Sequence, residues 1–226
     1  MHQKKGKNIL IYFSLLILVG SLNNVNLSKM KLINVKDINV SGLDEKNNLK
    51  ILERIQNLNL ENIFIISTDE IQNIFESNSL VENYEIIKIY PSTLNVQIKK
   101  TKFLARTNIN GKIFLIGSNG KLIENNFSNN KLPFIFGNPI TDEFLKFEKI
   151  IKNSKIPYEK VRNLYYFQSK RWDLELENKI ILKLPAYDIK NSLDLAFEFL
   201  NHKDLKNEKI IDLRIKNQII LHDRTI

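Results

Sequence analysis

The feature that most constrains this chain is an uncharged stretch close to its N-terminus. Residues 8–28 contain no charged side chain, and they follow Lys4, Lys5 and Lys7. As an α-helix, these 21 residues would span roughly 31 Å, close to the hydrocarbon thickness of a bilayer. The sequence therefore predicts a membrane helix, whose strongly apolar part is Ile9 to Leu22.

A cleavable signal peptide would show a similar pattern, so the cleavage site decides between the two interpretations. Cleavage favours small residues in an Ala-x-Ala-like arrangement. The first alanine of the chain is Ala105, and the only candidate site is the poorly matching Val19-Gly20-Ser21. We therefore expect a cytoplasmic tail at 1–8, a retained signal anchor at 9–28 and the bulk of the chain outside the cytoplasm.

The composition of the whole chain is that of a folded, basic protein. Hydrophobic residues make up 43% and charged residues 26% of the sequence, and the formal net charge is +9. The lysines are spread singly among Asp, Glu and Asn, so we interpret the charge as a solvated basic surface and predict no nucleic-acid partner. The chain has no cysteine, which excludes disulfides, thiol nucleophiles and thiolate metal sites.

Between residues 35 and 100 the spacing of apolar residues predicts a β-α-α-β-β unit. The expected elements are a strand at Val35 to Val40, a helix at Glu45 to Leu58, a second helix, and strands at Val81 to Tyr90 and Ser92 to Lys100. Leu49, Leu52 and Ile55 lie at helical spacing, and we expect them to face inward with Ile51. Ser67-Thr68-Asp69-Glu70 has the form of a capping box, which predicts the start of the second helix.

Beyond Thr101 the pattern predicts short strands and two amphipathic helices. Strands are expected at Phe103 to Thr107, Lys112 to Ile116 and Lys121 to Ile123, divided by Asn110-Gly111 and Asn119-Gly120. Helices are expected at Thr141 to Ser154 and Asp188 to Lys203, and the last strands at Lys209 to Ile215 and Gln218 to His222.

One strand of this region alternates strictly between apolar and acidic side chains. The apolar set is Trp172, Leu174 and Leu176, and the acidic set is Asp173, Glu175 and Glu177. After a turn at Asn178-Lys179 the chain returns as Ile180, Leu182 and Leu184. The alternation predicts an antiparallel pair with Trp172 in the core and the three carboxylates on a solvated face.

No arrangement of residues in the sequence indicates catalysis. The histidines His2, His202 and His222 are far apart, and none belongs to a metal-binding motif. The segment from Gly117 to Gly120 does not match a nucleophile elbow, and it lies where a hairpin turn is needed. The sequence therefore predicts a protein that is not an enzyme, has no cofactor and takes no small-molecule substrate.

Several short sequences resemble one known family, and they occur in that family's order. They are Tyr90-Pro91-Ser92-Thr93-Leu94 with the strand that follows it, Leu132-Pro133 with Gly137, Arg171-Trp172-Asp173-Leu174-Glu175-Leu176, and Ile211-Asp212-Leu213-Arg214. In this order, behind a membrane helix, the chain resembles the FtsQ/DivIB cell-division family. The resemblance implies an α+β fold: a single N-terminal transmembrane helix, a β-α-α-β-β POTRA domain (29–102) and a mostly antiparallel β domain with two helices (103–226).

The same resemblance implies a function and a location. A member of this family would be a bitopic adaptor of the bacterial division machinery in the inner membrane, with its bulk periplasmic and at the division septum. It would bind FtsB-like and FtsL-like membrane proteins and other divisome proteins, and so link divisome assembly to septal cell-wall synthesis. The alternative is a POTRA-containing component of outer-membrane protein assembly or secretion.

The partner site is expected at the C-terminal strands. The last predicted strand carries the apolar run Ile219, Ile220 and Leu221, and an open sheet edge of this kind can accept a strand from a partner. The resemblance implies that basic residues matching Arg171 and Arg214 face acidic groups of that partner. Ile215 and Asn217 complete the predicted partner-binding set. In the alternative interpretation, Arg214 pairs with Asp212 and the helix at 188–203 covers the edge.

Overall fold

A computed structural model describes residues 3–22, 34–58, 60, 63, 66, 68–124, 131–202 and 209–223. The chain divides into two compact units. Unit 1 comprises Met1–Asn78 and Asn83–Lys99, and unit 2 comprises Ser79–Glu82 and Lys100–Ile226.

The N-terminal segment forms helix α1 (Gln3–Leu22). Its large apolar side chains between Ile9 and Val19 are exposed, Leu10 by 71%. Among the residues that the structure describes, no helix has the length and apolar character needed to cross a bilayer. The anchor expected at 9–28 overlaps α1 as far as Leu22, its last residues (23–28) lie outside the described residues, and it stays a prediction.

Unit 1 contains the predicted order β-α-α-β-β after α1. Its elements are β1 (Asp37–Ser41), α2 (Glu45–Gln56), α3 (Thr68–Glu76), most of β2 (Val81–Ile89) and β3 (Thr93–Lys100). The strands form a sheet in the order β1-β3-β2, with β1 parallel to β3. Alternate residues of β3 face the core, since Leu94, Val96 and Ile98 are buried as the alternation predicts.

Helix α2 buries a narrower face than the sequence predicts. Ile51 and Ile55, which are one turn apart, are fully buried, whereas Leu49 is 51% exposed, so its predicted inward orientation is wrong. Two residues along a helix correspond to a rotation of about 200°, which places Leu49 away from the side that Ile51 occupies. The predicted capping residue Ser67 lies outside the described residues.

Unit 2 is built on one nine-stranded mixed sheet. Its strands are β4 (Phe103–Ile109), β5 (Lys112–Gly117), β6 (Leu122–Glu124), β7 (Phe134–Phe136), β8 (Val161–Tyr166), β9 (Trp172–Leu176), β10 (Ile181–Lys183), β11 (Lys209–Asp212) and β12 (Ile220–Asp223). The order across the sheet is β12-β11-β10-β9-β8-β7-β4-β5-β6. Helices α4 (Thr141–Lys152) and α5 (Ile189–His202) and a short 3-10 helix (Tyr158–Lys160) complete the described elements.

Both helices of unit 2 lie on the same face of the sheet because of its topology. Helix α4 connects the parallel strands β7 and β8, and α5 connects the parallel strands β10 and β11. Strands β7 and β10 run in the same direction, and both crossovers step toward β12. Since such crossovers are right-handed in nearly all proteins, both connecting helices come to one face. The opposite face is called the outer face below.

The core of unit 2 is a row of apolar residues that are paired directly across five strands. They are Ile135, Leu164, Leu174, Leu182 and Ile211, and each is at most 1% exposed. Buried side chains of α4 and α5 belong to the same cluster. Trp172 lies there too, 4% exposed and stacked on Phe147 of α4, so the prediction of a core tryptophan is confirmed.

The predicted solvated face of β9 is wrong for two of its three carboxylates. Asp173 and Glu175 are each only 5% exposed, whereas Glu177 is exposed. The alternation itself is correct, but β9 is an interior strand of the sheet and its neighbours cover the outer face. Asn163 and Tyr165 of β8 donate hydrogen bonds of 2.8 and 2.7 Å to Glu175. The expected strand at Lys209 to Ile215 also ends earlier, at Asp212.

Candidate partner-binding surface

Strand β12 forms one edge of the nine-stranded sheet. It pairs antiparallel with β11 along one side, and within the described part of the chain no strand pairs with its other side. All four of its residues are exposed, including the apolar Ile220 (38%) and Leu221 (39%). The backbone groups that point to the open side can therefore accept a further strand.

A row of charged residues crosses the outer face toward this edge. Asp173 of β9 lies opposite Lys183 of β10, Lys183 lies opposite Asp212 of β11, and Asp212 lies opposite Ile220 of β12. Directly paired residues project to the same face, and opposite charges in such pairs stabilise a sheet by about 0.2–1 kcal/mol each. Lys183 therefore lies between two buried carboxylates, and the row ends at the exposed edge.

Arg214 is held by the carboxylate of this row that is nearer to the edge. Its Nε donates to both oxygens of Asp212 at 2.8 and 2.9 Å, and its Nη2 donates to Oδ2 at 2.5 Å. The hydrogen bond from Arg214 is the main cause that lowers the pKa of Asp212. The Arg214 side chain nevertheless remains 44% exposed, so it reaches solvent beside the edge strand.

Arg171 is held by the other carboxylate of the row. Its Nε lies 3.4 Å from Oδ1 of Asp173, and its guanidinium carbon lies 4.5 Å from the centre of the Phe167 ring. Burial raises the pKa of Asp173, against the opposing effect of Arg171. The two arginines predicted from the sequence thus each contact one buried acid of the same row.

The other predicted site residues lie in one segment between β11 and the edge. Ile215 is 51% exposed, Asn217 is exposed with φ of +57°, and Ile219 is half-buried against the core cluster. Ile220 and Leu221 lie in β12 itself.

The alternative interpretation is that Arg214 pairs with Asp212 and that the helix at 188–203 covers the sheet edge. The first half, the Arg214–Asp212 pair, is confirmed. The second half is wrong, because β12 is exposed and α5 packs on the inner face.

Sequence reasoning missed Lys183 as a part of this surface. Its position between two carboxylates follows only from the register of three strands, two of which are separated by helix α5. The sequence does carry a signal for the two arginine–aspartate contacts, since each arginine stands two residues from an aspartate, the spacing of same-face neighbours on a strand.

Among the described residues, no group of three or more His, Asp or Glu side chains is placed to hold a metal ion.

The Arg214–Asp212 pair gives a prediction about stability and its pH dependence. We expect Asp212→Asn to lower the free energy of unfolding at neutral pH by about 1–3 kcal/mol, because a buried charge-assisted hydrogen bond is weakened. The pKa of Asp212 is below its ordinary value of 3.8 in the folded chain. Its contribution to the free energy of unfolding is therefore complete above a pH of 3.8. The contribution disappears as the pH falls through the folded pKa.

The measurement is urea unfolding at pH 7 and at about pH 3, followed by circular dichroism. The stability difference between wild type and Asp212→Asn is expected to shrink at the lower pH. Glu177→Gln, which changes an exposed carboxylate, is the control and is expected to match wild type. Equal stability of Asp212→Asn and wild type at pH 7 would contradict the prediction.

Comparisons with known proteins identify the family. The sequence model of the POTRA domain of FtsQ type matches residues 33–100, and that of the C-terminal part of the cell division protein FtsQ/DivIB matches residues 105–214. The chain belongs to the FtsQ/DivIB family of cell-division proteins. The predicted family resemblance is therefore confirmed, and so is the POTRA unit, whose matched residues coincide with the β-α-α-β-β order of unit 1.

Curated relatives named cell division protein FtsQ extend over most of the chain. That of Rickettsia bellii is 27% identical over 202 residues, covering 83% of this chain and 70% of the relative. That of Rhizobium meliloti is 22% identical over 190 residues, covering 81% of this chain and 61% of the relative. The family match ends at Arg214, so the segment 215–223 with β12 lies beyond it.

A solved structure also overlaps part of the chain. It is the major extracytoplasmic domain of the trans isomer of the cell division protein DivIB from Geobacillus stearothermophilus, with 12% identity and a TM-score of 0.34. The overlap covers 47% of this chain and 98% of that structure.

Proposed function

We propose that this FtsQ/DivIB-family chain is a non-enzymatic adaptor that holds other division proteins at the septum. In this proposal Ile9 to Leu22 anchor it in the inner membrane, residues 1–8 remain in the cytoplasm, and the POTRA domain (29–102) and β domain (103–226) are periplasmic. It binds FtsB-like and FtsL-like membrane proteins and other divisome proteins, and links their assembly to septal cell-wall synthesis. The observation that carries the proposal is the exposed edge strand β12.

Both family models are of the division type, which favours this role over the predicted alternative. That alternative is a POTRA-containing component of outer-membrane protein assembly or secretion. The exposed α1 helix supports its proposed role as a membrane anchor, because no described residue buries its apolar side chains from Ile9 to Val19.

Strand addition at β12 predicts which side chains the partner segment carries on each face. A strand placed beside β12 continues the inner apolar row beyond Leu221 and the outer charged row beyond Ile220. Its side chain next to Leu221 should therefore be apolar, and its side chain on the outer face lies close to Arg214. Main-chain hydrogen bonds supply affinity in this mode, and the alternate side chains supply specificity.

Arg214 can bind an acidic group of the partner without leaving Asp212. A guanidinium has five N–H donors, and the bonds to Asp212 use Nε and one donor of Nη2. The donors of Nη1 and the second donor of Nη2 remain for a carboxylate of the partner. Arg214→Glu is a poor test of this role, because it would place a second carboxylate beside the buried Asp212 and lower the stability as well.

Proline substitutions in β12 test the proposal more cleanly. In an antiparallel ladder, successive residues direct their N–H groups to opposite sides of the strand. One of Ile220→Pro and Leu221→Pro therefore removes a hydrogen bond to β11, and the other removes a donor of the open edge. We expect the variant that loses only the open-edge donor to retain wild-type stability. This variant should bind a co-purified FtsB-like partner at least about tenfold more weakly.

The opposite edge of the same sheet provides the control. Leu122→Pro and Ile123→Pro make the same pair of changes in β6, and we expect them to leave partner affinity unchanged. Affinity is measured with the full chain in detergent by surface plasmon resonance, and stability by thermal unfolding. Wild-type affinity of both β12 variants, or an equal loss in the β6 variants, would exclude β12 as the site.

A further inference from the structure

A second surface of unit 2 has the features of a binding groove. Strands β4, β7 and β8 are mutually parallel, so their first residues meet at one end of the sheet. Strand β9 is antiparallel to β8 and therefore ends there, at Leu176. A groove of about 1120 Å³ lies at this end of the sheet, and none of the predicted partner-binding residues lines it.

The groove is strongly basic. Five of its lining residues are cationic: Lys102, Arg106, Lys131, Lys152 and Arg162. Only two lining carboxylates oppose them, Glu159 and Glu177. A concave surface lined by one sign of charge concentrates oppositely charged ligands from solution.

Three of the cations are available to a ligand. Lys102, Lys131 and Arg162 form no ion pair within the part of the chain that the structure describes, and all three are exposed. Lys152 differs, because it pairs with Glu148 of its own helix and lies 5.6 Å from the centre of the Tyr158 ring. The uncompensated charge is therefore spread over the beginnings of β4, β7 and β8.

The wall of the groove also has a fixed aromatic part. Arg106 donates a hydrogen bond of 3.0 Å to the carbonyl of Leu132, and its guanidinium carbon lies 5.7 Å from the centre of the Phe134 ring. The hydroxyl of Tyr158 donates to the carbonyl of Leu104 at 3.0 Å. These contacts orient two half-buried rings, which offer apolar surface between the cations.

We propose that this groove binds an acidic peptide segment of another protein that also carries apolar side chains. The cations match its carboxylates, and the two rings match its apolar side chains. Glu159 and Glu177 favour a peptide over a phosphodiester polymer, because they can accept backbone N–H groups, which a phosphodiester backbone lacks. The volume also slightly exceeds the roughly 300–1,000 Å³ of pockets for drug-sized ligands. The site goes beyond the proposed function and does not depend on β12.

The test uses the full chain in a neutral detergent and a fluorescein-labelled synthetic peptide rich in glutamate and leucine. Binding is measured by fluorescence anisotropy at low salt, because screening weakens attraction between exposed charges. We expect Lys102→Glu combined with Arg162→Glu to weaken binding by at least about tenfold, since two attractions become repulsions. The peptide with glutamine in place of every glutamate is expected not to bind.

The control makes the same change in net charge elsewhere. Lys50→Glu combined with Lys146→Glu alters two exposed helix positions that do not line the groove, and we expect binding within about twofold of wild type. Equal weakening by both double variants would overturn the proposal, because attraction would then depend on net charge alone. Failure of wild type to bind the peptide would overturn it too. So would groove-dependent binding of phosphatidylglycerol vesicles without binding of the peptide.

Discussion

Replacing Trp172 by alanine is expected to lower the free energy of unfolding of unit 2 by about 3 to 5 kcal/mol. The side chain is 4% exposed, and it stacks on Phe147 with ring centres 4.5 Å apart and an angle of 10°. It also contacts Tyr166, at 4.8 Å between ring centres. Alanine would remove the indole from between β9 and α4 and leave a cavity that the rigid sheet cannot close.

The measurement is chemical unfolding followed by far-UV circular dichroism, because Trp172 is the single tryptophan of the chain and its fluorescence is lost in the variant. Tyr187→Ala is the control. Its side chain is 86% exposed, so its truncation is expected to change stability by less than about 0.5 kcal/mol. A loss below about 1 kcal/mol for Trp172→Ala would show that the indole does not support the core.

The second large effect is expected at Gly137, which follows β7. Its φ is +87°, and a Cβ atom at this position would lie 2.4 Å from the carbonyl oxygen of Tyr166. The neighbouring atom is backbone, so a side-chain rotation cannot relieve the contact. We expect Gly137→Ala to cost at least about 3 kcal/mol, from the left-handed backbone conformation and the steric overlap together.

Gly111→Ala separates these two causes. Gly111 lies in the β4–β5 turn of the same unit with a similar φ of +83°, but no atom lies within 4 Å of its Cβ position. Alanine there should cost only about 1–2 kcal/mol, the penalty of the left-handed conformation alone. Urea unfolding of both variants measures the difference. Equal losses would mean that the backbone near Tyr166 yields to the new methyl group, against the prediction.

Local features of the fold could be predicted because nearby residues determine them. The Asn110-Gly111 turn has positive φ at both residues, as its sequence indicates. The alternation in β9 correctly assigns Trp172, Leu174 and Leu176 to the core side. The element order of unit 1 and the edge position of the last strand are also confirmed, whereas partner binding at that edge stays a proposal.

Burial on the outer face could not be predicted from the same alternation. A period of two separates the two faces of a strand, but it does not say what covers each face. Asp173 and Glu175 are buried because β9 has neighbours on both sides, and because Asn163 and Tyr165 reach over from β8. This depends on the order of strands, which a single segment does not contain.

Local sequence is enough to specify the uncharged N-terminal segment, the alternating strands, the hairpin turns and the motifs by which the family is identified. These depend on residues within a few positions of one another, where steric and hydrogen-bond preferences act directly. In contrast, the row of Asp173, Lys183 and Asp212 that leads to β12 is visible only in the folded chain. The same holds for the groove, whose cations lie on α4 and on or just before β4, β7 and β8, which the strand register brings together. Register between distant strands arises from burial of the shared core, so no local pattern could have specified either surface.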